Sequence, residues 1–272
     1  MNRRSLFATP YIIWIIGFTI LPIVILLFYG LSDGNGSFTG ANVLAIFARV
    51  HLKSLWMSVK LALICTVICF ALAYPLALFF RKLAVNRRGM LLFIVIVPMW
   101  MNFVLRIMSW QLILSKNGVL NHALSLLGLP GQNWGNSAVA IVIGMVYDYL
   151  PFMILPIYNA VMDVAQNVID AARDLGAGPG AVVSKVMLPL TKPGIISGIT
   201  MVFVPTLTTF AISDMLGGGK VMLIGNIIEQ EFTTAMNWNL GAGLSLALMI
   251  FVLISMFFAF RSDKENKERT IW

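Results

Sequence analysis

The sequence predicts an all-α, polytopic membrane protein with six transmembrane helices. Three observations predict it: a composition short of charge, six apolar segments of bilayer length, and an uneven distribution of Lys and Arg. Of the 272 residues, 59% are hydrophobic and 11% charged, where a soluble domain carries about 45–50% apolar and about 25% charged residues. A chain of this size cannot hide that apolar surplus in one water-soluble core, so its solvent is lipid. Cys65 and Cys69 fall one helical turn apart in an apolar stretch. They imply neither a disulfide framework nor a zinc cluster and read as small apolar filler.

A helix crossing the hydrocarbon needs about 20 mostly apolar residues. Six segments qualify, at about 10–31, 61–80, 90–114, 137–161, 194–212 and 241–260, in one transmembrane domain over 1–272. The first follows Arg3 and Arg4 in the manner of a signal peptide. Its apolar run is too long for one and no small-x-small cleavage site follows, so it reads as a retained span. Pro75, Pro98, Pro151, Pro156 and Pro205 interrupt spans. Neighbouring helices must then satisfy the freed carbonyls, which argues for a packed bundle.

An even number of spans puts both termini on one side. That side holds 13 of the 19 Lys and Arg: Arg3, Arg4, Arg81, Lys82, Arg87, Arg88, Arg173, Lys185, Lys192, Arg261, Lys264, Lys267 and Arg269. The other side holds five, Arg49, Lys53, Lys60, Lys116 and Lys220, and Arg106 falls within a span. The positive-inside rule therefore places both termini in the cytoplasm. The net charge of +8 is then a topology signal, and no nucleic-acid partner is expected.

One cytoplasmic loop is long, at about 162–193, and reads VIDAARDLGAGPGAVVSKVMLPLTKPG over its central part. Val168, Ile169, Ala172 and Leu175 recur at helical spacing, opposite Asp170, Arg173 and Asp174. Gly176 and Gly178 with Pro179 stop this helix. A second short helix is expected to run to Met187 before Pro189 breaks it. The apolar face of such a helix needs another surface, either lipid headgroups or a partner protein.

Asp170-Ala171-Ala172, three residues, Gly176, nine residues, then Val186-Met187-Leu188-Pro189 resembles the EAA loop of ABC importer permeases, E-A-A-x3-G-x9-I-x-L-P. Asp stands for Glu and Val for Ile. VPMWMNFVLRI at 97–107, LPFMILPIYN at 150–159 and SDMLGGGKVMLIGNIIEQEF at 213–232 resemble the permeases of spermidine/putrescine importers. The resemblance implies a type I ABC importer permease fold in a bacterial cell membrane. It implies a second permease subunit, two copies of an ABC ATPase, an extracytoplasmic substrate-binding protein and a polyamine as solute. It also implies that Asp170, Ala171, Ala172, Gly176, Val186, Leu188 and Pro189 couple this chain to the ATPase. The nucleotide, ATP-Mg, then belongs to that partner, with no cofactor on this chain. A permease for another small solute would be built alike and stays open as an alternative.

Other classes fit less well. A secondary transporter would commonly show an internal repeat, which is not evident, and gives the EAA-like loop no role. An intramembrane protease needs a nucleophile and a base within the bilayer. No histidine falls in any span, and G-x-S-x-G and H-E-x-x-H are absent. The Gly217-Gly218-Gly219-Lys220 run lacks the upstream glycine and the Ser/Thr of a phosphate loop, having Val221 instead, and reads as a turn. The expectation is a transport subunit that is not an enzyme.

A polycation crossing a bilayer needs its charges compensated by carboxylates, carbonyls or aromatic faces, the last worth about 0.5–2 kcal/mol. Ionisable groups inside spans are costly and usually functional. Two lie well inside: Asp148, between Tyr147 and Tyr149 in the fourth span, and Arg106 in the third. Antiparallel spans put Trp100 near the same midplane as Asp148. Two readings of these residues stand open. In one, Asp148, Trp100 and the flanking Tyr147 line a substrate pathway; in the other, Asp148 pairs with Arg106 and only fixes helix packing. Asp214, with Glu229 and Glu231, falls in the outer loop between the last two spans. All three are candidates to receive the amine from the binding protein or to contact that protein directly, and an ordinary solvated charge fits each of them at least as well. His51 and His122 lack the neighbours of a metal site.

Overall fold

The computed structural model describes residues 10–130 and 134–269, the side chains of residues 86 and 258–269 apart. Arg3 and Arg4, used above for orientation, lie outside the described residues. The regular elements are helices. They are α1 (Pro10–Gly30), α2 (Arg49–Lys82), α3 (Val85–Ile96), α4 (Phe103–Leu114), α5 (Val119–Leu126), α6 (Ala138–Asp163) and α7 (Gln166–Asp174). Then come α8 (Pro179–Leu190), α9 (Lys192–Thr208), α10 (Ala211–Gly217), α11 (Ile224–Thr233) and α12 (Trp238–Arg269). Four of them, α1, α2, α6 and α12, are each long and apolar enough to cross a membrane. Two bent pairs, α3 with α4–α5 at 93° and α8 with α9 at 70°, raise the total to as many as six.

Two expected features differ in detail. The apolar run at 90–114 is not one helix. Pro98 sits in a 3-10 turn, Val97–Trp100, Met101 is extended, and Asn102 caps α4 by accepting from the N–H groups of Val104 and Leu105. A proline that removes a donor followed by a good N-cap ends one helix and starts another. Conversely, Pro189 does not break α8. Residues Val182–Met187 widen into a π-helix, and the Leu188 N–H reaches back five residues to the Val183 carbonyl. That widening makes room for a ring that would otherwise clash with the preceding turn. The same device appears in α1, where a π stretch at Ile16–Ile20 lies just ahead of Pro22.

The chain divides into two compact units. The larger, Trp56–Leu223 with Ser255–Trp272, contains most of α2 and α3 to α10. On α2, Leu61, Cys65, Cys69, Ala73 and Ala77 are all buried. This ridge of mostly small side chains, repeating every four residues, lets neighbouring helices approach closely. The cysteines are free members of that ridge. On the crossing of α6 and α9, a Cβ at Gly194 would fall on the Ala160 side chain and 2.6 Å from the Pro156 carbonyl oxygen. Backbone cannot swing aside as a side chain can, and overpacking costs about 1–3 kcal/mol. Gly194→Val is therefore expected to lower the melting temperature of the purified permease in detergent by several degrees. An unchanged melting temperature would mean that the crossing is loose.

The smaller unit, Met1–Leu55 with Ile224–Ile254, is held by backbone contacts of small and amide side chains. A Cβ at Gly30 of α1 would sit 2.6 Å from a Leu246 methyl on α12. The Asn239 amide donates to the carbonyls of Tyr29 at 3.1 Å and Ser32 at 2.8 Å.

Candidate functional site

The long loop folds as two helices joined by a tight turn. Gly176 takes φ +84°, a left-handed conformation that glycine adopts without penalty. Its N–H bonds the Arg173 carbonyl at 2.8 Å, and the Ala177 N–H bonds the Ala172 carbonyl at 3.0 Å. This pair of bonds is a Schellman cap, which satisfies the last carbonyls of α7 and turns the chain sharply. Ile169 of α7 and Val182 and Met187 of α8 are buried beside a groove of about 310 Å³ that is also lined by Leu78, Arg81 and Gln166. The expected apolar face of α7 is thus split. Ile169 and Ala172 turn inward, whereas Val168, Ala171 and Leu175 are exposed, Leu175 by 89%. Those three recur at i, i+3 and i+7 and form an apolar stripe open to solvent. Asp170 is exposed and accepts from the Gln166 amide at 3.0 Å, with Arg173 at 3.5 Å. In α8, Val186 is half-buried, and Leu188 and Pro189 are exposed.

A second cluster lies inside the bundle. Asp148 on α6 is 5% exposed and Arg106 on α4 9%, and Arg106 Nη2 lies 2.9 Å from Asp148 Oδ1. Arg106 Nη1 also donates to the Pro98 carbonyl at 3.2 Å, in the turn that breaks the third span. The guanidinium stands 5.9 Å from the centre of the Tyr147 ring, and Trp110 meets that ring edge-on at 5.3 Å. Although close, the ion pair misses hydrogen-bond geometry at Asp148 Oδ1, and buried Arg106 Nε has no hydrogen-bond partner among the described residues. A buried ion pair repays its desolvation only with good geometry and additional hydrogen bonds. This pair is therefore poorer glue than its 2.9 Å separation suggests, and the carboxylate keeps the capacity to accept another donor.

Tyr147 and Asp148 thus come together around Arg106, whereas Trp100 and Asp214 stand apart. Trp100 is 73% exposed and packs edge-on against Phe93 at 5.6 Å. Its link to the cluster runs through the carbonyl of Pro98, two residues earlier. Asp214 lies in the first turn of α10, a helix held against α4 and α6. Ile212 and Leu216 are its buried side and Asp214 its exposed one. The outer segment is therefore helical where a loop was expected, with Glu229 and Glu231 on α11. Sequence reasoning missed Arg81, whose guanidinium donates to the Val161 and Val164 carbonyls and to Gln166 Oε1. Its sole sequence signal, a basic residue closing an apolar helix, is shared by every topology charge.

Comparison with known proteins places this architecture. Residues 71–265 match the family model described as binding-protein-dependent transport system inner membrane component. The chain is 35% identical over 259 residues to the spermidine/putrescine transport system permease protein PotB of Haemophilus influenzae, covering 92% of this chain and 91% of the relative. It is 35% identical over 260 residues to PotB of Escherichia coli, covering 92% and 94%. A permease chain in the crystal structure of a bacterial alginate ABC transporter, in complex with its alginate-bound periplasmic protein, superposes with a TM-score of 0.80. It is 17% identical, with 94% of this chain and 91% of that chain covered, and shows the same fold. The fold is that of type I ABC importer permeases, and the chain belongs to the family of binding-protein-dependent transport system inner membrane components.

Proposed function

We propose that this chain is a multi-pass permease subunit of an ATP-driven importer for the polyamines spermidine and putrescine. It supplies part of the pathway and a coupling loop, while a partner hydrolyses ATP. The observation that carries this reading is the 35% identity over more than nine-tenths of both chains to permeases named for spermidine/putrescine transport. Two copies of an ABC ATPase carrying ATP-Mg, a second permease and an extracytoplasmic binding protein complete the machine. The Lys and Arg asymmetry supports cytoplasmic termini and a cytoplasmic α7–α8 loop. The exposed stripe of Val168, Ala171 and Leu175 supports docking of α7 on the ATPase, because so much open apolar area on a short helix needs a partner surface. Small Ala171 lets that surface come close.

In the transport cycle the loaded binding protein docks on the outer helices, ATP closes the ATPase dimer, α7 moves with it, and the spans open outward. Hydrolysis then returns the pathway inward. Asp148 offers a carboxylate with an unfilled acceptor site, and Tyr147 an aromatic face, so together they suit a primary or secondary ammonium. Trp100 and Asp214 serve as outlying contacts along the same route. The reading is tested by uptake of labelled spermidine and putrescine into cells carrying the whole transporter, with and without this subunit. Saturable, energy-dependent uptake that disappears with the subunit is the expected result. An assembled system that hydrolyses ATP and moves neither polyamine would remove the substrate and leave the permease.

A further inference from the structure

We infer that Arg81 is a positioning residue that makes α2 follow the coupling loop. The inference rests on the proposed docking of that loop on an ATPase. Arg81 closes α2, and its guanidinium reaches three acceptors on a neighbouring corner. These are the Val161 carbonyl in the last turn of α6, the Val164 carbonyl at 2.6 Å, and the side-chain oxygen of Gln166 at 3.3 Å. Val164 caps α6, and Gln166 opens α7. The last carbonyls of a helix have no intrahelical donor and carry the negative end of its dipole, so a planar cation is their natural partner. Gln166 hands the connection on, since its amide nitrogen donates to Asp170 at 3.0 Å, the acidic residue of the EAA-like motif.

The other root of the loop is tied to the same helix. The Tyr74 hydroxyl of α2 lies 3.3 Å from the hydroxyl of Thr191, a fully buried residue at the bend between α8 and α9. Phe80 meets Tyr158 of α6 edge-on at 6.0 Å, between these two ties. A displacement of α7 therefore reaches α2 through side chains as well as through the covalent corner at Val164–Ala165. The fork of an arginine can serve all three acceptors, whereas a lysine ammonium on a flexible stem cannot hold their spacing.

The test uses the complete transporter in proteoliposomes and reads uptake per ATP hydrolysed. In Arg81→Gln the ATPase still docks, because the Gly176 cap and buried Ile169 keep α7 folded. Hydrolysis stays within about twofold of wild type and uptake per ATP falls by about tenfold, inside the usual range of coupling between sites. Arg81→Lys falls in between, and Lys82→Gln, one residue away with the same loss of charge, behaves as wild type. An unchanged ratio in an assembled Arg81→Gln transporter overturns the inference. Should that variant fail to assemble, Arg81→Lys decides, a lowered ratio supporting the inference and an unchanged one overturning it. Spin labels at position 82 and at position 174, which is exposed on α7 and off the docking stripe, give a readout independent of solute. Their separation stays constant on ATP binding in the wild type and changes in Arg81→Gln; a constant separation in both counts against the strut. If the wild type moves neither polyamine, the substrate reading fails while this distance still tests Arg81.

Discussion

Gly176→Val is expected to cut ATP-driven uptake by tenfold or more while leaving the spans folded. Among the described residues nothing lies within 4 Å of a Cβ built at this position, and φ is +84°, so the cost is conformational rather than steric. An L-residue in the left-handed region costs about 1–2 kcal/mol, and a β-branched one is a poorer occupant still. Since 1.4 kcal/mol is a factor of ten in population, most molecules would lose the Schellman cap and with it the angle between α7 and α8. The stripe of Val168, Ala171 and Leu175 would then be presented in the wrong direction. Asparagine tolerates this conformation far better, so Gly176→Asn should keep most of the uptake. Co-purification of the ATPase with the permease pair, measured beside uptake, checks the cause. Valine and asparagine variants that lose the ATPase equally would show that the turn conformation is not what docking depends on.

What was legible in the sequence divides along the reach of its signals. The turn at Gly176 was readable because glycine before Gly178-Pro179 at the end of an amphipathic run has one local meaning. Asp148 was readable because a carboxylate in an apolar span is conspicuous by itself. The break at Met101 was hidden, since a hydropathy window averages across Pro98 and Asn102 and sees one apolar run. Pro189 misleads for the opposite reason. Its local rule predicts a stop, and the π-widening that absorbs it depends on how Val182 and Met187 pack. Arg81 stood outside any motif, because its meaning arises from three acceptors 80 or more residues away along the chain. Counting residues along a continuous helix puts Trp100 near the midplane, and the bend at 93° removes the basis of that count.

The largest effect on the protein itself is expected at Asp148 and Arg106. Asp148→Asn leaves a buried guanidinium without its counterion, and Arg106→Gln leaves a buried carboxylate, each costing about 3–5 kcal/mol. Both single variants should therefore lose thermal stability and uptake together. The double variant removes both charges and should recover most of the stability, because neutral Gln and Asn can be buried at far lower cost. Uptake then separates the two roles of the pair. A carboxylate that meets the substrate ammonium cannot be replaced by recovered packing, so the double variant is expected to be stable and still more than tenfold defective in polyamine uptake. Recovery of uptake along with stability would assign the pair to packing alone. The incomplete hydrogen bonding at Asp148 Oδ1 and Arg106 Nε favours the first outcome. A pair kept only for packing would gain from closing both gaps, whereas a carboxylate that must release one cation and accept another works better when its resident partner holds it loosely.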